Sequence, residues 1–377
     1  MILHVINDSL FIARGLSHFN KAYPNKPRTL LVTKSKTLKY LQFEPDVKLR
    51  RLRELFSARA LKEIRSADAI ILHSSKNVGF LISLLAKKTT KILWIGYGFD
   101  YYNLLAKRGY EFYGLETKAL YDKQHTKKLD VSFKHRIHVL IDSFIMKSAF
   151  RRIDFFSPVI REDYDLFKEY FPKIRMTYVP WSYGDSLENS VYSDSLPTPG
   201  PNILIGNSAS YTNNHLEVFS LLRNVDLKGR KLIVPLSYGD KEYRDHIITI
   251  GRNLFGDSFM PLVDFMPIDA YYSLIKSCSI VFMNHYRQQA TCNITAMIAF
   301  GAKLYLSKKN PYYMNCINRD LKICAIEELA SDSSSLFSLL SESERSLNRK
   351  IVQDTESQEI IDAQTRTILD LLLPAGR

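Results

Sequence analysis

The sequence predicts an α/β protein made of two doubly wound, parallel-sheet units in tandem. Three observations carry this. Short β-rich apolar runs alternate with longer helical patterns along the chain, the centres of those runs are apolar on both faces, and one turn-rich stretch interrupts the alternation near the middle. Runs apolar on both faces are the mark of strands buried between two helix layers. At 377 residues, 46% of them hydrophobic, the chain has enough apolar surface for two cores of ordinary size, so disorder is not the default reading.

In the first half the strands are expected at Ile2–Asn7, Arg28–Thr33, Ala69–Ser74, Lys91–Gly96, Asp154–Val159 and Met176–Trp181. Ser182–Asn202 is rich in Ser, Pro, Gly, Asp and Asn and ends Pro197-Thr198-Pro199-Gly200-Pro201, the composition of a linker. The alternation then restarts, with strands at Ile203–Gly206, Lys231–Leu236, Met260–Phe265, Ser279–Asn284, Lys303–Leu306 and Leu321–Ala325. Residues 1–181 are therefore read as a first domain, 182–202 as the linker, 203–353 as a second domain and 354–377 as a C-terminal helix able to pack back on the first. Ligands of such sheets bind beyond the carboxyl ends of the strands, so the two domains are expected to face a cleft that holds the active site.

Charge is unevenly spread. Residues 1–200 hold 33 Lys+Arg against 20 Asp+Glu and the remainder 19 of each, so the whole net charge of +13 lies in the first half. Such a field suits nucleic acid, an anionic membrane surface or a phosphorylated substrate, or is simply a solvated basic surface. No run of about 18 uncharged apolar residues is present to span a bilayer. Met1–Asn7 has no basic segment ahead of its apolar stretch and leads into a strand, which speaks against a signal peptide and for the cytoplasm. Cys278, Cys292, Cys316 and Cys324 have no zinc-ligand spacing and fit small core residues in a reducing compartment. From Phe133 to Arg152 the chain is basic and amphipathic, with Phe133, Ile137, Leu140, Ile141, Phe144 and Ile145 at helical spacing. That stripe fits a helix packed on its own sheet or one touching lipid headgroups.

Three segments carry candidate chemistry. Gly206-Asn207-Ser208 ends a buried strand ahead of Asn213-Asn214-His215 and a helix, a turn that brings backbone N–H groups close to an anion. His285-Tyr286-Arg287-Gln288-Gln289 follows another strand and, with Thr291, opens a helix, giving a fixed cation and several donors for a diphosphate. Trp94 to Tyr102 closes a first-domain strand; its Gly98 frees the backbone, and Asp100 is either a proton acceptor for a substrate hydroxyl or a helix cap. His4, His73 and Asp8 lie at or near strand ends of the same domain. His135 and His138 have no carboxylate beside them, so no metal is read there. A Walker A loop and a GxGxxG fingerprint are both absent.

These segments resemble the family 56 glycosyltransferases, which transfer 4-acetamido-4,6-dideoxygalactose to the lipid II intermediate of enterobacterial common antigen. The match is strongest from Ile203 to Asn315: Gly206-Asn207-Ser208 with Asn213-Asn214-His215, Val234-Pro235 with Tyr238, Arg287-Gln288-Gln289, Phe300-Gly301-Ala302 and Asn310-Pro311-Tyr312. It is thinner in the first domain, at His4-Val5, His73 and Trp94 to Tyr101. Ala290-Thr291-Cys292 departs from the family's Gly-x-Gly. The resemblance implies a GT-B fold of two Rossmann-like domains and a hexosyltransferase activity. It further implies a dTDP-activated amino-deoxy sugar donor on the second domain, an undecaprenyl-pyrophosphate-linked acceptor on the first, and no metal or other cofactor.

On this reading Gly206, Asn207, Ser208, Arg287, Gln288, Gln289 and Thr291 hold the donor diphosphate and sugar. Asp264, Phe265, Met266 and Tyr238 hold the base; His4, His73, Trp94 and Gly98 lie on the acceptor side. Arg287 and Asp100 are the catalytic candidates. The implied location is the cytoplasmic face of the bacterial inner membrane, as a peripheral protein on anionic lipid, in enterobacterial common antigen or O-antigen synthesis. The competing readings are a glycosyltransferase using another nucleotide sugar for O-antigen or capsule, a nucleotide-sugar epimerase, and a basic nucleic-acid-binding protein. An epimerase calls for the missing dinucleotide fingerprint, and the third calls for a nucleic-acid module, so no nucleic acid is expected as partner.

Overall fold

The computed structural model describes residues 1–23, 28–35, 37–41, 43, 45–74, 77–125, 133–183, 200–331, 335–355 and 357–373, with backbone alone at 10, 133–141 and 330–331. In chain order the elements are β1 (Ile2–Ile6), α1 (Leu10–Ala22), β2 (Arg28–Val32), β3 (Val47–Leu49), α2 (Ala58–Ser66), β4 (Ala69–His73), α3 (Asn77–Leu85), β5 (Lys91–Ile95) and α4 (Phe99–Ala106). There follow α5 (Leu115–Gln124), α6 (Phe133–Arg152), β6 (Phe155–Ser157), α7 (Arg161–Tyr170) and β7 (Thr177–Tyr178). The second half holds β8 (Asn202–Ile205), α8 (His215–Leu222), β9 (Leu232–Pro235), α9 (Lys241–Phe255), β10 (Phe259–Leu262), α10 (Ile268–Ile275) and β11 (Cys278–Met283). It closes with α11 (Thr291–Ala299), β12 (Lys303–Leu306), α12 (Pro311–Asn318), β13 (Cys324–Ala325), α13 (Ile326–Ser331), α14 (Glu342–Thr355) and α15 (Gln358–Leu372). Every strand expected from the apolar runs is present, most of them trimmed by a residue or more. Only the three-residue β3 had no such signal.

The chain folds as two compact units. The first comprises Met1–Arg108, Leu129–Gly184 and Glu356–Arg377; the second comprises Gly109–Lys128 and Asp185–Thr355. In the first unit the strand order is β3-β2-β1-β4-β5-β6-β7, all parallel. In the second it is β10-β9-β8-β11-β12-β13, again all parallel. Both orders run outward from the first strand, then reverse, so each sheet has one point where neighbouring strands lead to opposite sides. In the first unit that point lies between β1 and β4, in the second between β8 and β11. Loops part there at the carboxyl edge and leave room for a ligand.

The double-sided apolar pattern does what it predicts. Ile70, Ile71, Leu72, Ile203, Leu204, Ile205, Ile280, Val281 and Phe282 are all fully buried, each contributing about 1.5–3 kcal/mol through burial. In the first unit Trp94 stacks on Phe156, with Phe80, Phe150 and Phe167 around it. Helix α15 closes the same unit: Ile368, Leu369 and Leu372 pack with Ile12, Leu16 and Phe19 of α1, and the Trp181 indole N–H donates to Thr365 Oγ1 at 2.9 Å.

Residues 109–125, read from the sequence as part of the first domain, pack with the second unit instead. Thr117 donates through its backbone N–H and its hydroxyl to Glu217 on α8, at 2.9 and 2.6 Å. Ser220 donates to Glu116 at 2.8 Å, and Tyr113, Leu120 and Tyr121 pack on the core around Tyr211. Tyr113, Leu120 and Tyr121 thus form the apolar side of the contact between α5 and α8. Residues 184–199 of the expected linker lie outside the described residues. So do the side chains of Phe133, His135, Ile137, His138, Leu140 and Ile141 on α6. Among the described residues no helix is long and apolar enough to cross a membrane.

Candidate functional site

The site assembles at the reversal point of the second sheet. Strand β8 ends at Ile205, and Gly206 turns the chain with φ +66°. A Cβ there would stand 2.6 Å from Asn213 Oδ1 and 2.7 Å from His215 Nε2, so the position admits only glycine without displacing both groups. The turn presents Asn207. Its backbone N–H donates to Asn213 Oδ1 at 2.8 Å, its Nδ2 donates to the Tyr238 hydroxyl at 2.7 Å, and its Oδ1 accepts from Gln289 Nε2 at 3.0 Å. Asn213 in turn donates through Nδ2 to Ser208 Oγ and to the Ser208 and Ser210 carbonyls.

From the other side comes the loop after β11. His285 Nε2 lies 2.9 Å from Asn213 Oδ1 and 3.2 Å from Asn207 Oδ1. Both neighbours are acceptors, so Nε2 carries the hydrogen. Burial, aided by the Arg287 charge, pushes this histidine down to about 3, and it is neutral at physiological pH. Gln289 Oε1 accepts from Arg287 Nε at 3.0 Å and from Thr212 Oγ1 at 2.7 Å. Arg287, Gln289, Asn207 and Tyr238 thereby form one hydrogen-bonded chain across the carboxyl edge of β11, β8 and β9. Gln288 is buried beside it.

Helix α11 opens at this spot. Ala290 precedes it in the left-handed region, φ +60° and ψ +29°, and supplies no side-chain cap. The first-turn N–H groups, from Thr291 onward, therefore add positive potential next to the Arg287 guanidinium. A cation, amide donors and an uncapped helix start together offer chemistry suited to an anionic group such as a diphosphate.

The loop after β10 exposes Asp264 and Phe265, the latter 90% exposed, with Met266 half-buried; Tyr238, after β9, is 60% exposed. Aromatic faces left to solvent at this edge suit the stacking of a nucleobase. Two further contributors, Tyr110 and Lys309, had no signal in the sequence beyond residue type, and Asn214 of the Asn213-Asn214-His215 segment joins them. The Tyr110 hydroxyl donates to the Tyr286 carbonyl. Asn214, itself left-handed at φ +51°, donates to the Asn284 and Phe112 carbonyls and accepts from Gly114 N–H. Lys309 Nζ lies 4.5 Å over the Tyr286 ring, a second cation beside the Arg287 loop.

The first unit is built differently at its own reversal point. His4 sits within β1, 1% exposed, with Nδ1 3.0 Å from His73 Nε2; His73 Nδ1 reaches the Tyr183 hydroxyl at 2.9 Å. Trp94 is fully buried and donates from Nε1 to Asp100 Oδ2 at 3.0 Å. Asp100 Oδ1 accepts from Tyr97 N–H at 2.8 Å, across the turn where Gly98 has φ +94°. Burial raises the Asp100 carboxyl to about 6. His4 and Trp94 thus brace the wall from within, while His73, Gly98 and Asp100 stand where strands end. Asp8 is spent on the N–H groups of Lys39, Tyr40 and Leu41. One Asp-x-Asp triplet lies in this unit, Asp163-Tyr164-Asp165. Asp163 is buried under the hydroxyls of Tyr101 and Tyr102 and Asp165 pairs with Arg161, so both carboxylates are engaged in structure. Among the described residues no group of three His, Cys, Asp or Glu is placed to hold a metal ion.

The fold matches a glycosyltransferase from Rickettsia africae ESF-5 with a TM-score of 0.64 at 13% identity, over 100% of this chain and 99% of that one. It matches an E. coli trehalose-6-phosphate structure bound with UDP-2-fluoro glucose with a TM-score of 0.60 at 12% identity, over 100% and 99%. WaaG, a glycosyltransferase involved in lipopolysaccharide biosynthesis, matches with a TM-score of 0.55 at 10% identity, over the full length of both chains. These likenesses establish the two-sheet GT-B architecture. The model of the 4-alpha-L-fucosyltransferase family, glycosyl transferase group 56, matches residues 151–339, half of the chain, and that span includes the whole Asn207–Arg287 network. The chain belongs to this family and is a glycosyltransferase.

Proposed function

We propose that the protein moves an amino-deoxy sugar, 4-acetamido-4,6-dideoxygalactose or a close relative, from a dTDP donor to an undecaprenyl-pyrophosphate-linked saccharide. The observation that carries the donor half is the chain Arg287–Gln289–Asn207–Tyr238 laid across the start of α11. Glycosyl transfer develops negative charge on the leaving diphosphate and positive charge on the sugar ring. Arg287, Lys309 and the α11 N–H groups meet the former with no reorganisation, because Gln289 and Asn207 already hold the loop in place. Phe265 and Tyr238 receive the base, while Gly206, Asn207, Ser208 and Thr291 border the phosphates and sugar. No metal is required by this arrangement of charges.

On the acceptor side, the two donors already on the Asp100 carboxylate favour a positioning role: it pins the Tyr97–Gly98 turn against Trp94. The first unit carries 31 Lys+Arg against 18 Asp+Glu, and the second equal numbers, so the +13 surplus lies wholly in the unit assigned to the acceptor. That field suits an acceptor pyrophosphate and a peripheral position on the anionic cytoplasmic face of an inner membrane, in enterobacterial common antigen or O-antigen synthesis.

Titration calorimetry with dTDP, UDP and GDP tests the donor. Micromolar binding of dTDP with weaker responses to the other two is the expected result. Tighter UDP or GDP binding overturns the dTDP assignment and leaves a glycosyltransferase of another donor.

A further inference from the structure

At the amino-terminal edge of the first sheet, opposite the edge that bears His73 and Gly98, the end of α6 and the loop ahead of β7 flank an open pocket of about 630 Å³. It is lined by Arg151, Pro172, Lys173, Ile174 and Arg175. Its place follows from the topology. Arg151 precedes β6, and Arg175 precedes β7; in a parallel sheet both therefore lie at the edge away from the carboxyl ends. Within the first unit the cavity thus lies at the edge opposite His73, Gly98 and Asp100.

Among the described residues, Arg151, Lys173 and Arg175 have no carboxylate partner, whereas their neighbours Lys91 and Arg152 share Asp154. Arg151 offsets the dipole at the end of α6, but the other two cations stand on a loop and have no such duty. Three unpaired positive charges around one concavity repel each other, and an anion relieves that repulsion. The volume falls within the range of small-ligand sites. Apolar surface lies alongside the charge: Pro172 and Ile174 line the cavity, and Phe144, 72% exposed, shares the α6 face of Lys147 and Arg151. Mixed basic and apolar surface of this kind fits a phosphate attached to something greasy better than a bare ion.

We propose that this cavity binds a phosphoryl group, supplied by an anionic phospholipid headgroup or by free phosphate. The full chain, the triple variant Arg151→Gln/Lys173→Gln/Arg175→Gln and a control triple, Arg53→Gln/Lys62→Gln/Arg65→Gln, are compared. The control removes the same charge from exposed positions on the β3–β4 side of the unit. Each is sedimented with phosphatidylcholine vesicles with and without phosphatidylglycerol, and titrated with inorganic phosphate. The expected result is binding that needs phosphatidylglycerol, falls with salt, and drops at least roughly tenfold in the cavity triple but not in the control. Phosphate binding lost in the cavity triple, without vesicle binding, upholds the phosphoryl site and makes its ligand soluble. A wild-type protein that binds neither probe, or equal losses in both triples, overturns the proposal. An unchanged circular dichroism melt shows that the triple is folded; if it is not, Lys173→Glu alone on the exposed loop carries the same test.

Discussion

The two units share one strand order and differ at the point where that order reverses. In the second unit the reversal point is laid with carboxamides and a guanidinium linked by hydrogen bonds, beside an uncapped helix start. In the first it is filled from beneath by rings: His4, His73, Tyr183, Phe19 and Trp181 stack in the core, and the charge lies elsewhere on the unit. The same topology therefore supports a hydrogen-bonded polar network in the second unit and a packed aromatic cluster in the first. Fold places the site, but residue chemistry at one crossover decides what it can hold.

The largest effect expected from this comparison is common to both units. Burial pushes His4, His215 and His285 down to about 3, and His73 well below its ordinary value. A histidine whose folded pKa is depressed contributes stability that is present above about pH 6.5 and is lost as pH falls, because the unfolded chain takes up the proton first. At pH 5 each costs about 2 kcal/mol, so four together approach the stability of a typical domain. Thermal melts from pH 7 to pH 4 should show a steep loss beginning near pH 6. His285→Gln should remove about a quarter of that slope; a melt flat down to pH 4.5 would mean that the histidines are solvated.

Asp100 separates the units, because it acts with the opposite sign. Its folded pKa is raised to about 6, so the folded state binds the extra proton between about pH 4 and pH 6, and its ionisation costs up to about 3 kcal/mol as pH rises through that window. In the first unit this term opposes the histidine term; the second unit has no counterpart among the residues described. Asp100→Asn should steepen the acid loss of the first unit and leave donor binding by the second intact. A pH profile identical to wild type would show that Asp100 is ionised at no cost.

Much of this is legible in the amino-acid sequence. Strands buried on both faces announce themselves as apolar runs, and the turn residues Gly206-Asn207-Ser208 and the Arg287-Gln288-Gln289 cluster mark the carboxyl edge by residue type and position alone. Three things are not legible. Residues 109–125 cross to the second unit through hydrogen bonds such as Thr117 to Glu217, which join residues a hundred positions apart. The inward direction of His4 and Trp94 depends on register, which a strand apolar on both faces does not reveal. The cavity at Arg151 joins a helix end to a loop that no local pattern connects.

Within the second unit the comparison sharpens to one residue against another. Arg287→Ala removes the fixed cation and should slow transfer at least about tenfold while leaving the melting point near wild type, since Arg287 lies at the surface of the network. Wild-type turnover in a folded variant would remove it from the diphosphate seat.

Tyr110→Phe should do less, and differently. The phenol lies on the segment that crosses from one unit to the other, and its hydroxyl holds the carbonyl of Tyr286, the residue before Arg287. Deleting one such bond costs about 1 kcal/mol, or roughly fivefold in an equilibrium. If the bond serves only to pin the segment, the loss appears in the melting point and donor KM stays constant. If it positions the diphosphate loop, donor KM rises by about that factor while the melt barely moves. The second outcome is expected, because the segment is already held by the Asn214 and Glu217 bonds, whereas the Tyr286 carbonyl borders the loop that must present Arg287.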